Sequence, residues 1–104
     1  MLSDYDKKIK PVRPATATRL RIEDGNTAQH VIASPEVQAA IHSMATVATT
    51  IAADKPLLEA WTWRTDTGRY VEAHFQSANK KLVKLVGIFM PSGSIQILVN
   101  EVIG

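Results

Sequence analysis

Two periodicities divide this chain. Over residues 35–53 apolar side chains recur with the period of a helix. Val37, Ile41, Met44, Ala48 and Ile51 fall at 4-3-4-3 spacing, and Ala40, Ala45 and Ala52 broaden the stripe. From residue 57 to residue 102 the period drops to two, in four runs separated by turn residues. The pattern predicts an α+β domain, one helix packed on an antiparallel meander.

Local signals frame the helix at about 35–53. Ser34 offers a side-chain cap, Pro35 suits the first helical position, and Glu36 sits at the positive end of the dipole. Asp54-Lys55-Pro56 stops it. Five threonines and valines in the segment carry branched Cβ atoms, which lowers propensity, so packing has to hold the element. The face opposite the stripe, through Gln38, His42, Ser43, Thr46 and Thr50, is neutral and rich in hydroxyls. Such a face suits water, the arm or another chain.

The runs at about 57–64 and 69–76 flank Thr65-Asp66-Thr67-Gly68-Arg69, the grammar of a type I turn closed by a left-handed glycine. Pairing Thr65 with Arg69 sets Trp63 opposite Val71, Trp61 opposite Ala73 and Glu59 opposite Phe75. Both tryptophans are then expected against the helix, with Tyr70, Glu72 and His74 on the other face. Met90-Pro91-Ser92-Gly93-Ser94 repeats the grammar between runs at about 82–90 and 94–102, placing Phe89 opposite Ile95 and Gly87 opposite Ile97. Continued without interruption, that register leaves the second hairpin apolar on both sides. Gly87 inside a strand marks a bulge or a close approach by other backbone.

A rival reading exists for residues 78–89. Ala78, Leu82, Leu85, Val86 and Phe89 also fit helical spacing, with Ser77 as cap, which would give a ferredoxin-like βαββαβ order. Gly87 and the branched Val83, Val86 and Ile88 favour a strand. Upstream, Thr18, Leu20 and Ile22 alternate with Arg19, Arg21 and Glu23 and predict a strand over about 16–22 at a sheet edge. Glu23-Asp24-Gly25-Asn26 reads as a turn, and His30-Val31-Ile32 as a short extended piece. The element order resembles that of cystatin-like domains, a likeness of layout that carries no function.

The length of 104 residues fits one domain, placed at 15–104 behind a flexible basic arm over 1–14. Without cysteine there is no disulfide, thiolate metal site or cysteine nucleophile. The polar opening residues and the absence of a long apolar run point to a soluble, cytoplasmic protein with no membrane span. Net charge is only +2. Residues 1–22 hold six Lys/Arg against two Asp, whereas residues 23–75 hold three basic against seven acidic groups.

Candidate chemistry is sparse. His30, His42 and His74 show no metal-ligand spacing, and the glycines are scattered singly, so neither a metal nor a cofactor is expected. His74 and Glu72 share a strand face, which permits an acid–base pair and a small-enzyme reading. A nucleic-acid reading recruits Lys7, Lys8, Lys10, Arg13, Arg19 and Arg21 for phosphate contacts. It also needs exposed aromatic platforms, which inward tryptophans would not supply. The leading expectation comes from the two-faced hairpin. Leu82, Val86, Ile88, Leu98 and Val102 would form an outer apolar patch, and monomers rarely leave such a patch wet. This predicts a non-catalytic interaction or regulatory module that pairs with itself, as a dimer, or with a protein partner.

Overall fold

A computed structural model describes residues 11–23, 27–48 and 51–104. Lys7, Lys8, Lys10, most of the turn expected at 23–26 and the helix positions Thr49 and Thr50 lie outside the described residues. The chain is an α+β protein. In order it forms β1 (Thr18–Arg19), β2 (Arg21–Ile22), a 3-10 turn (Ala28–His30) and β3 (Val31–Ile32). Then come α1 (Pro35–Val47), β4 (Leu57–Thr65), β5 (Gly68–Gln76), β6 (Leu82–Phe89) and β7 (Ile95–Val102). A five-stranded antiparallel sheet has the order β1-β4-β5-β6-β7, and β2 with β3 makes a separate two-stranded ribbon. Residues 82–89 are strand, so the second helix of the rival order does not form.

The segment 16–22 divides its pairing. Thr18 and Arg19 lie against Thr62 and Trp61 of β4, whereas Arg21 and Ile22 pair with Ile32 and Val31. Leu20, between them, donates its N–H to the Ala60 carbonyl at 2.8 Å and packs with Ile22 on the core.

The start of α1 follows the sequence signals. Ser34 Oγ accepts from the Val37 N–H at 3.4 Å, Pro35 opens the helix, and Glu36 in the first turn pairs with Arg69 at 2.6 Å. Its end does not. The helix stops at Val47 rather than near 53, and Ala48 is already extended at φ −77° and ψ 110°. Thr46 and Val47 are β-branched and the last turn carries no basic side chain, which weakens the helix at this end. Ile51 still reaches the core, but from an isolated bridge to Ser77. Val37, Ile41, Met44, Ala45 and Ala48 meet Leu57, Ala60, Val71, Ala73, Phe75, Val83 and Leu85 in the main core.

The β4–β5 hairpin departs from the expected register by one residue. Thr65 pairs with Gly68, not Arg69, across a two-residue loop of Asp66 and Thr67. Thr65 Oγ1 accepts from the Thr67 N–H at 3.1 Å and lies 2.8 Å from Thr67 Oγ1, while Gly68 takes φ +150°. One residue of slip turns a strand over. Val71, Ala73 and Phe75 therefore face α1 together with Ala60, and Trp61 and Trp63 face away from it. The reason is room. A Cβ on Gly87 would lie 2.9 Å from Met44 Sδ and 2.7 Å from Ile95 Cγ1. Beneath so close a helix the chain places small residues such as Ala60, Ala73 and Gly87, and a bulge at Leu58 keeps both Leu57 and Ala60 on that side.

The β6–β7 hairpin keeps its expected loop and opening register, with Phe89 opposite Ile95 and Gly87 opposite Ile97. Met90 and Ser94 close it through a 2.9 Å bond, with Gly93 at φ +92°. Past Gly87 the ladder shifts. Val86 pairs with Val99, leaving Leu98 as the extra residue of a bulge. Gly87 thus lies at a bulge, one of its two sequence signs; the other is not met, because what approaches it closely is side chain and not backbone.

Candidate functional site

The sheet face turned away from α1 carries the unusual chemistry. Strand register arranges it in three rows running from β4 to β7. The first is Glu59, His74, Lys84 and Glu101; the second is Trp61, Glu72, Val86 and Val99; the third is Trp63, Tyr70, Ile88 and Gln96. The rows grade from charged to apolar. In the third, Trp63 stacks on Tyr70 with centroids 5.5 Å apart and planes at 12°. Those two rings, Val86 and Val99 form a second buried cluster, on which Ala17 and Ile88 pack. Tyr70 directs its hydroxyl to Thr67 Oγ1 at 2.6 Å.

Glu72 is the centre of the face. It is 3% exposed, and a single carboxylate oxygen, Oε2, receives two partners. His74 Nε2 lies 2.8 Å from it and Arg13 Nη1 2.5 Å. The Arg13 guanidinium also stands 3.6 Å from the centroid of the Trp61 ring, and Trp61 meets His74 edge-on at 4.9 Å. Burial pushes the Glu72 carboxyl up. The His74 hydrogen bond, the Arg13 charge, the His74 charge and Lys84 together outweigh it and hold the group below its ordinary value. Around this centre, Arg19 pairs with Glu59 at 3.1 Å, Glu59 lies 3.9 Å from His74 Nδ1, and Lys84 stands 4.0 Å from Glu101.

Arg13 comes from the segment assigned to the arm. Residues 11–14 lie on the far face, where Pro11, Val12 and Arg13 form one wall of an open cleft of about 340 Å³ and Glu72, Lys84, Val99 and Glu101 form the rest. The cleft is balanced in charge, two cations against two carboxylates.

The acid–base reading of His74 and Glu72 gains contact but not access. The two are hydrogen-bonded, yet the remaining ring nitrogen, Nδ1, is buried and has no hydrogen-bond partner among the described residues. Of the basic residues considered for nucleic acid, Arg13 and Arg19 are held by Glu72 and Glu59, and Arg21 is exposed. Trp63 is 7% exposed and Trp61 lies half-buried beneath Arg13, which leaves neither ring as an open stacking platform. Among the described residues no group of three His, Asp or Glu is placed to hold a metal ion, and no helix is long and apolar enough to cross a membrane.

The five residues of the expected outer patch do not share one surface. Val86 is fully buried under the far-face cluster, Leu82 and Ile88 are half-buried, and Leu98 and Val102 are exposed at 38% and 52%. The Leu98 bulge divides them. It brings Val99 rather than Leu98 opposite Val86, and sets Val102 opposite Val83, a core residue. What the hairpin leaves open is its outer strand. β7 ends the sheet, and among the described residues no strand pairs with its outer edge. Beside that edge, Ser43, Met44, Val47, Ile95 and Ile97 line a shallow groove of about 150 Å³ between α1 and the sheet.

Sequence reasoning missed the union of Arg13, Trp61 and Glu72. The signal was parity: Glu59, Trp61 and Trp63 alternate with Ala60 and Thr62, as Tyr70, Glu72 and His74 alternate with Val71, Ala73 and Phe75. A two-residue loop of Asp66 and Thr67, followed by Gly68, aligns the two bulky sets on one face. Neither a family model, nor a curated protein, nor a solved structure matches this chain.

Proposed function

We propose that this chain is a small non-catalytic interaction module that self-associates through its C-terminal hairpin, with the outer edge of β7 as the line of contact. The observation that carries the reading is the character of that edge. Folded chains blunt exposed edges with short strands, charges or proline. β1, at the other side of the sheet, is two residues long and carries the Arg19–Glu59 ion pair. β7 runs eight residues, IQILVNEV, with Glu101 its only charge and one bulge. Leu98 in its middle, Val102 at its end and the following Ile103 are exposed apolar side chains.

A second copy suits this edge. Two β7 strands paired antiparallel about a two-fold between Leu98 and Val99 set Gln96 against Glu101, Ile97 against Asn100 and Ile95 against Val102. No like charges meet, and the sheet continues from one protomer into the next. The exposed Val47 and half-buried Ile95 and Ile97 beside the edge are then positioned to bury apolar area as the strands join.

Amide hydrogen exchange at two protein concentrations tests the proposal. Alternate amides of β7 should become protected as concentration rises while those of β5, in the sheet interior, stay constant. Exchange in β7 that does not change with concentration would refute it.

A further inference from the structure

We infer that the pocket built from Trp61, Glu72 and His74 is a guanidinium-binding site, filled here by the chain's own Arg13 and open to an arginine on an extended segment of a partner. This does not rest on self-association through β7.

The parts are those that guanidinium recognition needs. Trp61 supplies an aromatic floor 3.6 Å from the Arg13 Cζ. Glu72, almost wholly buried, supplies the carboxylate, and His74 fixes that carboxylate by bonding the same oxygen. The His74 hydrogen bond and the Lys84 charge, which stay in place when Arg13 leaves, both favour the ionised carboxylate. A rigid, desolvated carboxylate beside an aromatic face favours a planar, weakly hydrated cation over a compact ammonium.

Arg13 sits in this pocket as a guest does. Val12 beside it is 84% exposed. Among the described residues the backbone of 11–14 makes one hydrogen bond outside regular elements, from the Ala17 N–H to the Pro14 carbonyl, inside its own turn. The side chain of Arg13 anchors the segment through Glu72 and Trp61. The cleft of about 340 Å³ next to it leaves room for the residues that flank an arginine in a longer ligand, with Lys84 and Glu101 as polar walls. An incoming arginine competes with a tethered one, whose effective concentration is of the order of millimolar. The segment at 11–14 thus acts as an internal competitor that a partner displaces.

The test uses the full chain with Arg13→Ala and the probe N-acetyl-arginine methylamide, followed by tryptophan fluorescence and thermal unfolding. The variant should give a saturable fluorescence change and a rise in Tm with the arginine probe, and at least a tenfold weaker response with the lysine analogue. The wild type, with its pocket filled, should respond at least tenfold more weakly than the variant. Adding Glu72→Gln should abolish the response. If Arg13→Ala does not fold, recovery of folding by the probe supports the site, and its failure to recover overturns it. A folded variant with no saturable response, or an equal response to both probes, shows that Arg13 is only a structural tie and overturns it as well.

Discussion

Arg13 and His74, 61 residues apart in the chain, meet on one oxygen of Glu72, at 2.5 and 2.8 Å. A carboxylate this deeply buried becomes costly when either partner leaves, since breaking a buried pair leaves a charge without compensation. That dependence makes the far face of the sheet testable.

Replacing Arg13 with Ala should destabilise the fold by about 1.5–3 kcal/mol, the range for a hydrogen bond to a charged group, while Val12→Ala changes stability by less than about 0.5 kcal/mol. Urea unfolding of both variants checks this. Arg13→Lys should fall between wild type and Arg13→Ala, because the ammonium keeps the charge but loses the planar contact with Trp61.

Glu72 also sets a pH dependence. Its folded value lies below the unfolded one, so the unfolded chain binds more protons in the interval between them and stability rises with pH there. The contribution is complete above the ordinary carboxylate value of 4.5 and disappears as pH falls through the lower folded value. Denaturant unfolding across this range should show the difference between wild type and Glu72→Gln shrinking as the solution is acidified.

Gly87 lies directly against the helix, with Met44 Sδ 2.9 Å from where a Cβ would stand. Gly87→Ala should cost about 1–3 kcal/mol by overpacking. The cost should fall in an Ile95→Ala background, because Ile95 Cγ1 and Cδ1 lie 2.7 and 2.8 Å from where the new methyl would sit. A double-mutant cycle in thermal unfolding measures that coupling.

The side of the sheet on which the tryptophans lie can be read from energetics. A cycle between Trp63 and Tyr70 should give a coupling of about 0.5–1.5 kcal/mol from their stacked rings. A cycle between Trp63 and Met44 should give additivity within about 0.5 kcal/mol, because the sheet separates them.

Where the sequence speaks through local chemistry, it is legible. Ser34 and Pro35 open α1, Pro91 and Gly93 turn the second hairpin, and the branched residues around Gly87 hold 82–89 as strand. What was hidden depended on counting. One residue in the Asp66–Thr67 loop decides which side Trp61 and Trp63 occupy, and both choices look amphipathic because β4 carries bulky side chains on one parity and small ones on the other. The bulge at Leu98 redistributes the expected outer patch in the same way. The Arg13–Glu72 pair spans 59 positions, a separation that no local pattern encodes.

Self-association remains the central claim, and solution mass tests it most directly. Sedimentation equilibrium should give twice the chain mass of 11.4 kDa for the wild type at high concentration. The double variant Leu98→Lys, Val102→Lys should give the single-chain mass with an unchanged circular dichroism spectrum. A wild type that sediments as one chain at every concentration would contradict the account.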